Sequence, residues 1–199
     1  MFDELRAQFF PYELKPGITA YCLTNTAAFW NEAGSLMNAI FPPYATLGAF
    51  RQPEERAAKS ELLARLFAQA HHEYFVFRSA GGEPVGYSYG DMRDRATFFM
   101  TSSGVLPQYQ QQGLYSGFLK RFLSYLYALG YERVVSNHQT NNRAVIIAKL
   151  KAGFNVTAVN LDERWGAQVE LTYLFHEDRR QGYASAFSLE AQHTPVSHA

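Results

Sequence analysis

The feature that most restricts the fold is a run of three strand-like segments followed at once by an amphipathic helix. Residues 74–78, 85–89 and 96–106 are rich in β-branched and aromatic residues, and only short turn sequences separate them. Connections this short predict consecutive antiparallel strands. After Pro107, apolar residues recur at helical spacing through residues 113–130, where Gly130 is well suited to end the helix.

The N-terminal third predicts one strand and two helices. Residues 18–24 form the strand, and Thr24, Asn25 or Thr26 can cap a helix that ends before Pro42 and Pro43. Pro53 suits the first position of a second helix. The predicted apolar stripe of that helix consists of Leu62, Leu63, Leu66 and Phe67.

The C-terminal third predicts a strand, a helix and a hairpin. Residues 131–138 form the strand, and Asn141 or Asn142 can cap a helix that Gly153 stops. Two strands then flank the turn sequence DERWG. In the second strand every other residue is apolar or aromatic; these residues are Val169, Leu171, Tyr173 and Phe175.

This order of elements predicts an α+β (mixed α/β) fold, with a central, mostly antiparallel mixed sheet flanked by helices. No repeat or linker divides residues 1–199, so we expect a single domain with a core spanning about residues 18–176. The polar tail, residues 177–199, is expected to be partly disordered.

Composition excludes several classes of function. Lys+Arg and Asp+Glu both number 18, so the chain lacks the basic excess of a nucleic-acid-binding protein. The one cysteine, Cys22, cannot form an intrachain disulfide, which fits a reducing compartment. We see neither a membrane-spanning stretch nor a secretory signal and expect a cytoplasmic protein. The adjacent His71 and His72 would point in different directions, so we predict no metal site.

The turn sequence QYQQQGLY, residues 108–115, precedes the long helix. Unpaired N–H groups and the helix dipole make such a position suitable for a phosphate, and Gly113 would let the backbone approach it. Gln110, Gln111 and Gln112 can donate hydrogen bonds without adding charge. The alternative is a solvated turn. Neither a Walker loop nor a G-x-G-x-x-G fingerprint is present.

The surrounding motifs resemble the GNAT superfamily of acetyl-coenzyme A-dependent N-acyltransferases. The sequence GVLPQYQQQGLYSGFLKRFL is similar to the family's strand exit, followed by Gln/Arg-x-x-Gly-x-Gly/Ala at the start of a helix. Downstream, Asn142 and the pair Gly153-Phe154 match the family's Asn, helix and closing Gly-Phe. The resemblance extends from about Ile18 to Phe175.

The resemblance implies a GNAT-like fold, acetyl-coenzyme A as acyl donor and an amine of a small molecule or peptide as acceptor. It implies that backbone groups of Val105 and Leu106 pair with the pantetheine arm and that Asn142 approaches the pantetheine or the thioester end. The pyrophosphate would be held by backbone N–H groups of the turn, contributed by Gln110, Gln111, Gln112, Gly113, Leu114 and Tyr115.

Two positions depart from the family pattern. Tyr115 stands where relatives have a small residue, so its ring either points away from the phosphates or stacks beside them. Lys149 stands where many relatives have the tyrosine that protonates the leaving thiolate. This lysine is either an acid or a solvent-facing helix residue. A catalytically inactive coenzyme A-binding sensor and an interaction domain therefore stay as alternatives to an enzyme.

The sequence assigns no catalytic residue, acceptor or oligomeric state. Four residues could serve as the base: Glu73, Asp91, Tyr109 and His138. An apolar or aromatic acceptor pocket could draw on aromatic residues that are equally suited to the core. These residues are Phe29, Trp30, Phe41, Tyr44, Phe50 and Trp165.

Overall fold

The computed structural model describes residues 2–41, 57–162 and 165–187. Its helices are α1 (Phe2–Phe9), α2 (Thr26–Ile40), α3 (Ala57–Phe67), α4 (Leu114–Ala128), α5 (Arg143–Lys151) and α6 (Glu177–Phe187). Its strands are β1 (Tyr12–Lys15), β2 (Ile18–Leu23), β3 (His72–Ser79), β4 (Pro84–Met92), β5 (Thr97–Val105), β6 (Arg133–Gln139), β7 (Asn155–Asp162) and β8 (Gly166–Leu174). Within these ranges no helix is long and apolar enough to cross a membrane.

The strands form one eight-stranded sheet in the order β1-β2-β3-β4-β5-β6-β8-β7. Every neighbouring pair is antiparallel except β5 and β6, which run parallel. Helix α4 connects these two strands, as a parallel pair requires. The predicted mixed, mostly antiparallel sheet flanked by helices is therefore confirmed.

Each side of the sheet carries its own aromatic core. On the side that we call the α4 face, rings from β3 and β5 pack on α4; they include Phe75, Phe77, Phe98, Phe118 and Phe122. On the opposite side, the α2 face, Phe29 of α2 packs on Tyr74, Tyr87 and Tyr89. Side chains alternate along a strand, so neighbouring residues serve opposite faces.

The helix caps follow the sequence signals. Asn25 caps α2 by accepting a hydrogen bond from the N–H of Ala28 at 3.0 Å. Gly130 and Gly153 follow α4 and α5 with left-handed φ values of 94° each. Helix α2 ends at Ile40. Pro42, Pro43 and Pro53 lie outside the described residues.

The core begins before residue 18, contrary to the prediction. Phe10 is buried beneath α4 and contacts Phe75, so α1 and β1 belong to the fold. Residues 177–187 of the polar tail form α6. Arg180 at this helix donates to the carbonyls of Leu174 and Phe175 at 2.7 and 2.9 Å, which attaches α6 to the end of β8.

The predicted apolar stripe of α3 does not pack into the core. Its four side chains, Leu62, Leu63, Leu66 and Phe67, are each more than half exposed. Helical periodicity identifies a common face of a helix, but it does not identify a partner for that face.

A buried ionic network joins α1 to the sheet. The fully buried carboxylate of Glu73 lies 3.0 Å from Arg6 Nη2 and 2.9 Å from His71 Nε2, and it accepts a hydrogen bond from Tyr125 Oη at 2.8 Å. Burial alone would raise the pKa of Glu73, but hydrogen bonds from His71, Arg6 and Tyr125 hold it below its usual value. Burial and this carboxylate raise the pKa of the neighbouring Cys22 thiol.

Candidate active site

The parallel strands β5 and β6 separate after a short contact. Only residues 97–99 of β5 pair with residues 133–135 of β6, ending at the pair Phe99 and Val135. Beyond it, β5 continues to Val105 and β6 to Gln139. We call the gap between residues 100–105 and 136–139 the β5–β6 opening. Its two margins present main-chain groups that an extended ligand can pair with.

A β-bulge lies at the start of this opening. Tyr89 of β4 pairs with Ser102 and Gly90 pairs with Met100, which leaves Thr101 as the extra residue of β5. A Cβ atom at position 90 would lie only 2.2 Å from the carbonyl oxygen of Phe99, so the bulge requires glycine there. Bulges redirect backbone and side chains and are common beside active sites.

Gly90→Ala is therefore expected to destabilise the protein by about 1–3 kcal/mol, the usual cost of overpacking. Urea unfolding measures this change. Gly34→Ala in α2 is the control, because a Cβ atom there meets no described residue within 4 Å and alanine favours helix. Equal stabilities of Gly90→Ala and the wild type would contradict the tight contact at the bulge.

At the outer end of β5, one amide faces the opening. The N–H of Leu106 donates to the carbonyl of Val85 at 2.9 Å, so Leu106 is already bonded within the sheet. Hydrogen-bonded and non-bonded pairs alternate in antiparallel strands, so the N–H of Val105 points away from β4 and into the opening. The carbonyl of Val105 accepts from Gln110 Nε2 at 2.9 Å.

The glutamine turn after β5 contains two residues with left-handed backbone. Gln111 has φ 59° and Gly113, which precedes α4, has φ 78°; both are left-handed values. Left-handed residues in turns are typical of the backbone nests that bind anions. Among the described residues, a Cβ atom at position 113 would meet nothing within 4 Å.

The glutamine side chains brace the turn. Gln110 bonds the carbonyl of Val105, and Gln112 Nε2 donates to the carbonyl of Gln108 at 2.8 Å. Gln112 Oε1 accepts a hydrogen bond from Lys15 Nζ of β1. Sequence reasoning missed Lys15, since no local pattern predicts a contact between residues so distant in the chain. The turn therefore has a cation beside it.

The first helical residues of α4 point into the protein. Leu114 is buried in the core. Tyr115 packs against the same core and hydrogen-bonds to Ser103 of β5, and burial raises the pKa of its phenol. Ser103 Oγ in turn lies 2.8 Å from Ser88 Oγ. The ring thus extends along β5 and leaves the backbone of the turn uncovered.

Lys149 of α5 lies at the apex of the opening and not in solvent. It is 1% exposed. Its Nζ donates to Ser136 Oγ at 2.5 Å and contacts Met100 Sδ at 3.5 Å. Ser136 and Met100 are the first residues of β6 and β5 beyond their last pair. Burial lowers the pKa of Lys149 to about 7, so the amine changes its charge near neutral pH.

His138 is the third member of this cluster. Its Nε2 lies 3.0 Å from Ser136 Oγ, so Ser136 links the histidine to Lys149. Burial, followed by the nearby charge of Lys149, lowers the pKa of His138 to about 3. The imidazole is therefore neutral at pH 7 and too weakly basic to serve as a general base there.

The other candidate bases differ in their surroundings. Glu73 is held in the ionic network with α1 on the α4 face. Tyr109 belongs to the short 3₁₀ turn after β5 and packs against the core. Asp91 is partly exposed, and Oδ1 accepts a hydrogen bond from Thr101 Oγ1 of the bulge at 2.8 Å. Of these three, only Asp91 lies beside the apex of the opening.

Asn142 occupies the N-cap position of α5, but its exposed side chain makes no cap hydrogen bond. It follows β6 just as the glutamine turn follows β5. Because parallel strands end at the same edge of a sheet, both lie at the outer end of the opening. The side chain is thus available to a ligand.

The aromatic residues proposed for an acceptor pocket differ in their burial. Phe29 is fully buried and belongs to the core, whereas Trp30 is 42% exposed beside Tyr89. Phe41 is partly buried against the α2 core, and Trp165 lies in the β7–β8 turn region. Tyr44 and Phe50 fall outside the described residues.

Solved structures share this fold at low sequence identity. A mutant of the spermidine N-acetyltransferase SpeG from Vibrio cholerae aligns with a TM-score of 0.58 and 15% identity, over 80% of this chain and 95% of that chain. The putative acetyltransferase yncA from Salmonella typhimurium, solved with acetyl-CoA, gives 0.57 and 21%, over 81% and 95%. Ribosomal-protein-S5-alanine acetyltransferase from Vibrio fischeri gives 0.58 and 13%, over 83% and 97%.

A search of curated protein sequences found no significant match. The family model described as acetyltransferase (GNAT) family matches residues 36–154, which is more than half of the chain. This range contains the glutamine turn, both margins of the opening and Lys149. The chain therefore belongs to the GNAT acetyltransferase family.

Proposed function

We propose that the protein transfers an acetyl group from acetyl-coenzyme A to an amine of a small molecule or peptide by direct attack. The observation that carries this proposal is the β5–β6 opening, which has a turn with two left-handed residues at its outer end and a buried amine at its apex. Among similar structures, yncA was solved with acetyl-CoA, and others act by name on spermidine or on a ribosomal protein.

The residues of the opening fit the parts of coenzyme A. The N–H of Val105 suits an amide of the pantetheine arm, and the exposed side chain of Asn142 lies at the same edge of the sheet. The backbone N–H groups of residues 111–115 suit the pyrophosphate, and Lys15 adds positive charge beside them. The N–H of Gln110 does not join them, because it donates to the carbonyl of Pro107 at 3.2 Å. Leu106 is less suited than Val105 to bind the pantetheine arm, because its N–H is bonded to Val85.

Lys149 suits the task of protonating the departing thiolate. A general acid works best when its pKa lies near the operating pH, and burial brings the pKa of Lys149 to about 7. Ser136 fixes the position of the amine at the apex.

Two measurements test the proposal. Coenzyme A at a hundred times its dissociation constant should stabilise the fold by ~2.7 kcal/mol, visible as a thermal shift. Acetyl-coenzyme A consumption should then depend on an added amine in a panel of small amines and peptides. Binding without turnover would favour a coenzyme A sensor, and no thermal shift at millimolar coenzyme A would leave an interaction domain.

A further inference from the structure

A carboxylate lies beside the apex of the opening on the α2 face, opposite Lys149. Asp91 pairs in register with Phe99, and Phe99 forms the last β5–β6 pair with Val135. These three residues form one row across the sheet, at the point where the strands separate. Side chains alternate along β4, and Tyr89 packs against α2, so Asp91 also points to the α2 face.

The carboxylate of Asp91 can accept further hydrogen bonds. Thr101 of the bulge donates one hydrogen bond to it, and in the described part of the chain no Lys, Arg or His forms an ion pair with it. The nearest cation along β4, Arg93, lies 3.2 Å from Glu170 instead. The cross-strand neighbour His72 has its Nε2 2.7 Å from the carbonyl oxygen of Phe67.

Other groups on the same face suit an ammonium ion. Asn137 follows Ser136 in β6 and therefore points to the α2 face. Its Oδ1 is buried and lacks a hydrogen-bond partner among the described residues. Such an orphaned acceptor calls for a donor. The rings of Tyr89 and Trp30, with centroids 5.3 Å apart, add π faces that attract cations.

We propose that the acceptor is a primary amine carried as an ammonium ion on an aromatic or aliphatic stem, and that Asp91 receives the ammonium on the α2 face and removes its proton. This proposal rests on the proposed acetyl transfer and names its substrate class. Tyr89 and Trp30 would contact the stem, whereas Asn137 Oδ1 lies across β5 from Asp91, on the other margin of the opening.

The reaction balances with the groups present. Asp91 takes one proton from the ammonium, directly or through a water, and leaves a neutral amine. The nitrogen then attacks the thioester carbonyl, a C–N bond forms and the C–S bond breaks. Lys149 gives a proton to the thiolate from the other side of the sheet. The second amine proton, released as the amide forms, returns through solvent to Lys149. The products are the acetamide, coenzyme A and one proton, which Asp91 passes to solvent.

Asp91→Asn tests this assignment, because asparagine keeps the shape and can still accept from Thr101. The substrates are phenethylamine, which is charged at pH 7, and aniline, which is not. We expect kcat/KM for phenethylamine to fall by about 100-fold or more, the usual contribution of a general base, while the KM for acetyl-coenzyme A stays unchanged. The loss with aniline should be less than about tenfold.

Glu83→Gln is the matched control, since it removes a carboxylate from the exposed β3–β4 turn. It should preserve the preference for phenethylamine. Equal losses with both amines in Asp91→Asn would assign Asp91 only to holding the bulge and would overturn the proposal. So would a wild-type preference for aniline, or for phenylalanine with its added carboxylate.

Calorimetric binding separates this proposal from the proposed function. Phenethylammonium should bind the protein–coenzyme A complex, and Asp91→Asn should abolish that binding, whether or not the wild type turns over. If phenethylammonium binds but is not acetylated, the proposed acetyl transfer is wrong and the ammonium site remains supported. If the protein acetylates other amines but neither binds nor acetylates phenethylamine, only the proposed ammonium site is wrong.

Discussion

Gly113→Asp is expected to weaken coenzyme A binding by about 100-fold or more. Gly113 has φ 78° at the start of α4, and a Cβ atom there would meet nothing within 4 Å in the part of the chain that the structure describes. An aspartate would place its carboxylate where we assign the pyrophosphate. Two like charges at ~4 Å repel by several kcal/mol near a protein surface, and each ~1.4 kcal/mol changes affinity tenfold. Titration calorimetry with coenzyme A measures the loss.

Gly113→Asn is the matched control for this change. Asparagine has the shape of aspartate without its charge, and it tolerates left-handed backbone better than most residues. We expect it to lose less than about tenfold in affinity. Unaltered coenzyme A affinity in Gly113→Asp would show that the phosphates bind elsewhere, and equal losses in both variants would assign the effect to backbone strain.

Lys149→Met is expected to change stability and turnover in opposite directions. The pKa of Lys149 falls from 10.5 to about 7 on folding, so below pH 7 the fold must bury a charge. Between about pH 7 and 10.5 the unfolded chain binds more protons than the folded one, so this group's contribution to stability rises with pH. Methionine has no such titration. It should stabilise the fold by on the order of 3 kcal/mol at pH 7.

The difference in stability between Lys149→Met and the wild type should become smaller toward pH 10. Urea unfolding at several pH values measures this difference. Turnover should fall by about 100-fold, as expected for loss of a general acid. The wild-type advantage in kcat should decline as pH rises above about 7. Lys149→Tyr restores an O–H donor and should recover part of the rate. A Lys149→Met enzyme with wild-type kcat would remove Lys149 from the reaction.

Local signals predicted the parts of the molecule that local physics determines. The three antiparallel strands, the start of α4 and the two closing glycines follow from alternation, helical periodicity and left-handed backbone, which are properties of neighbouring residues. The glutamine turn was placed before α4 for the same reason. Its two left-handed residues agree with the proposed phosphate role, which stays a prediction until coenzyme A binding is measured.

The sequence could not predict which face of a short helix is buried. In α5, Ile147 and Leu150 are 51% and 43% exposed, whereas Lys149 is buried. The reason lies in tertiary contacts, since Ser136 and Met100 receive the amine at a break in the sheet. Lys15 and Arg6 were missed for a similar reason, because their partners, Gln112 and Glu73, are 97 and 67 residues away.

The short contact between β5 and β6 also has a mechanical consequence. Strands β1 to β5 and strands β6, β8 and β7 form two panels. In the described part of the chain, β5 and β6 join them through main-chain contacts at residues 96–99 and 132–135. Side chains of α4 lie in one core with Phe98 from the first panel and Leu171 from the second. Helix α4 therefore packs against both panels across their short contact. The size of its buried side chains determines the distance between the two panels.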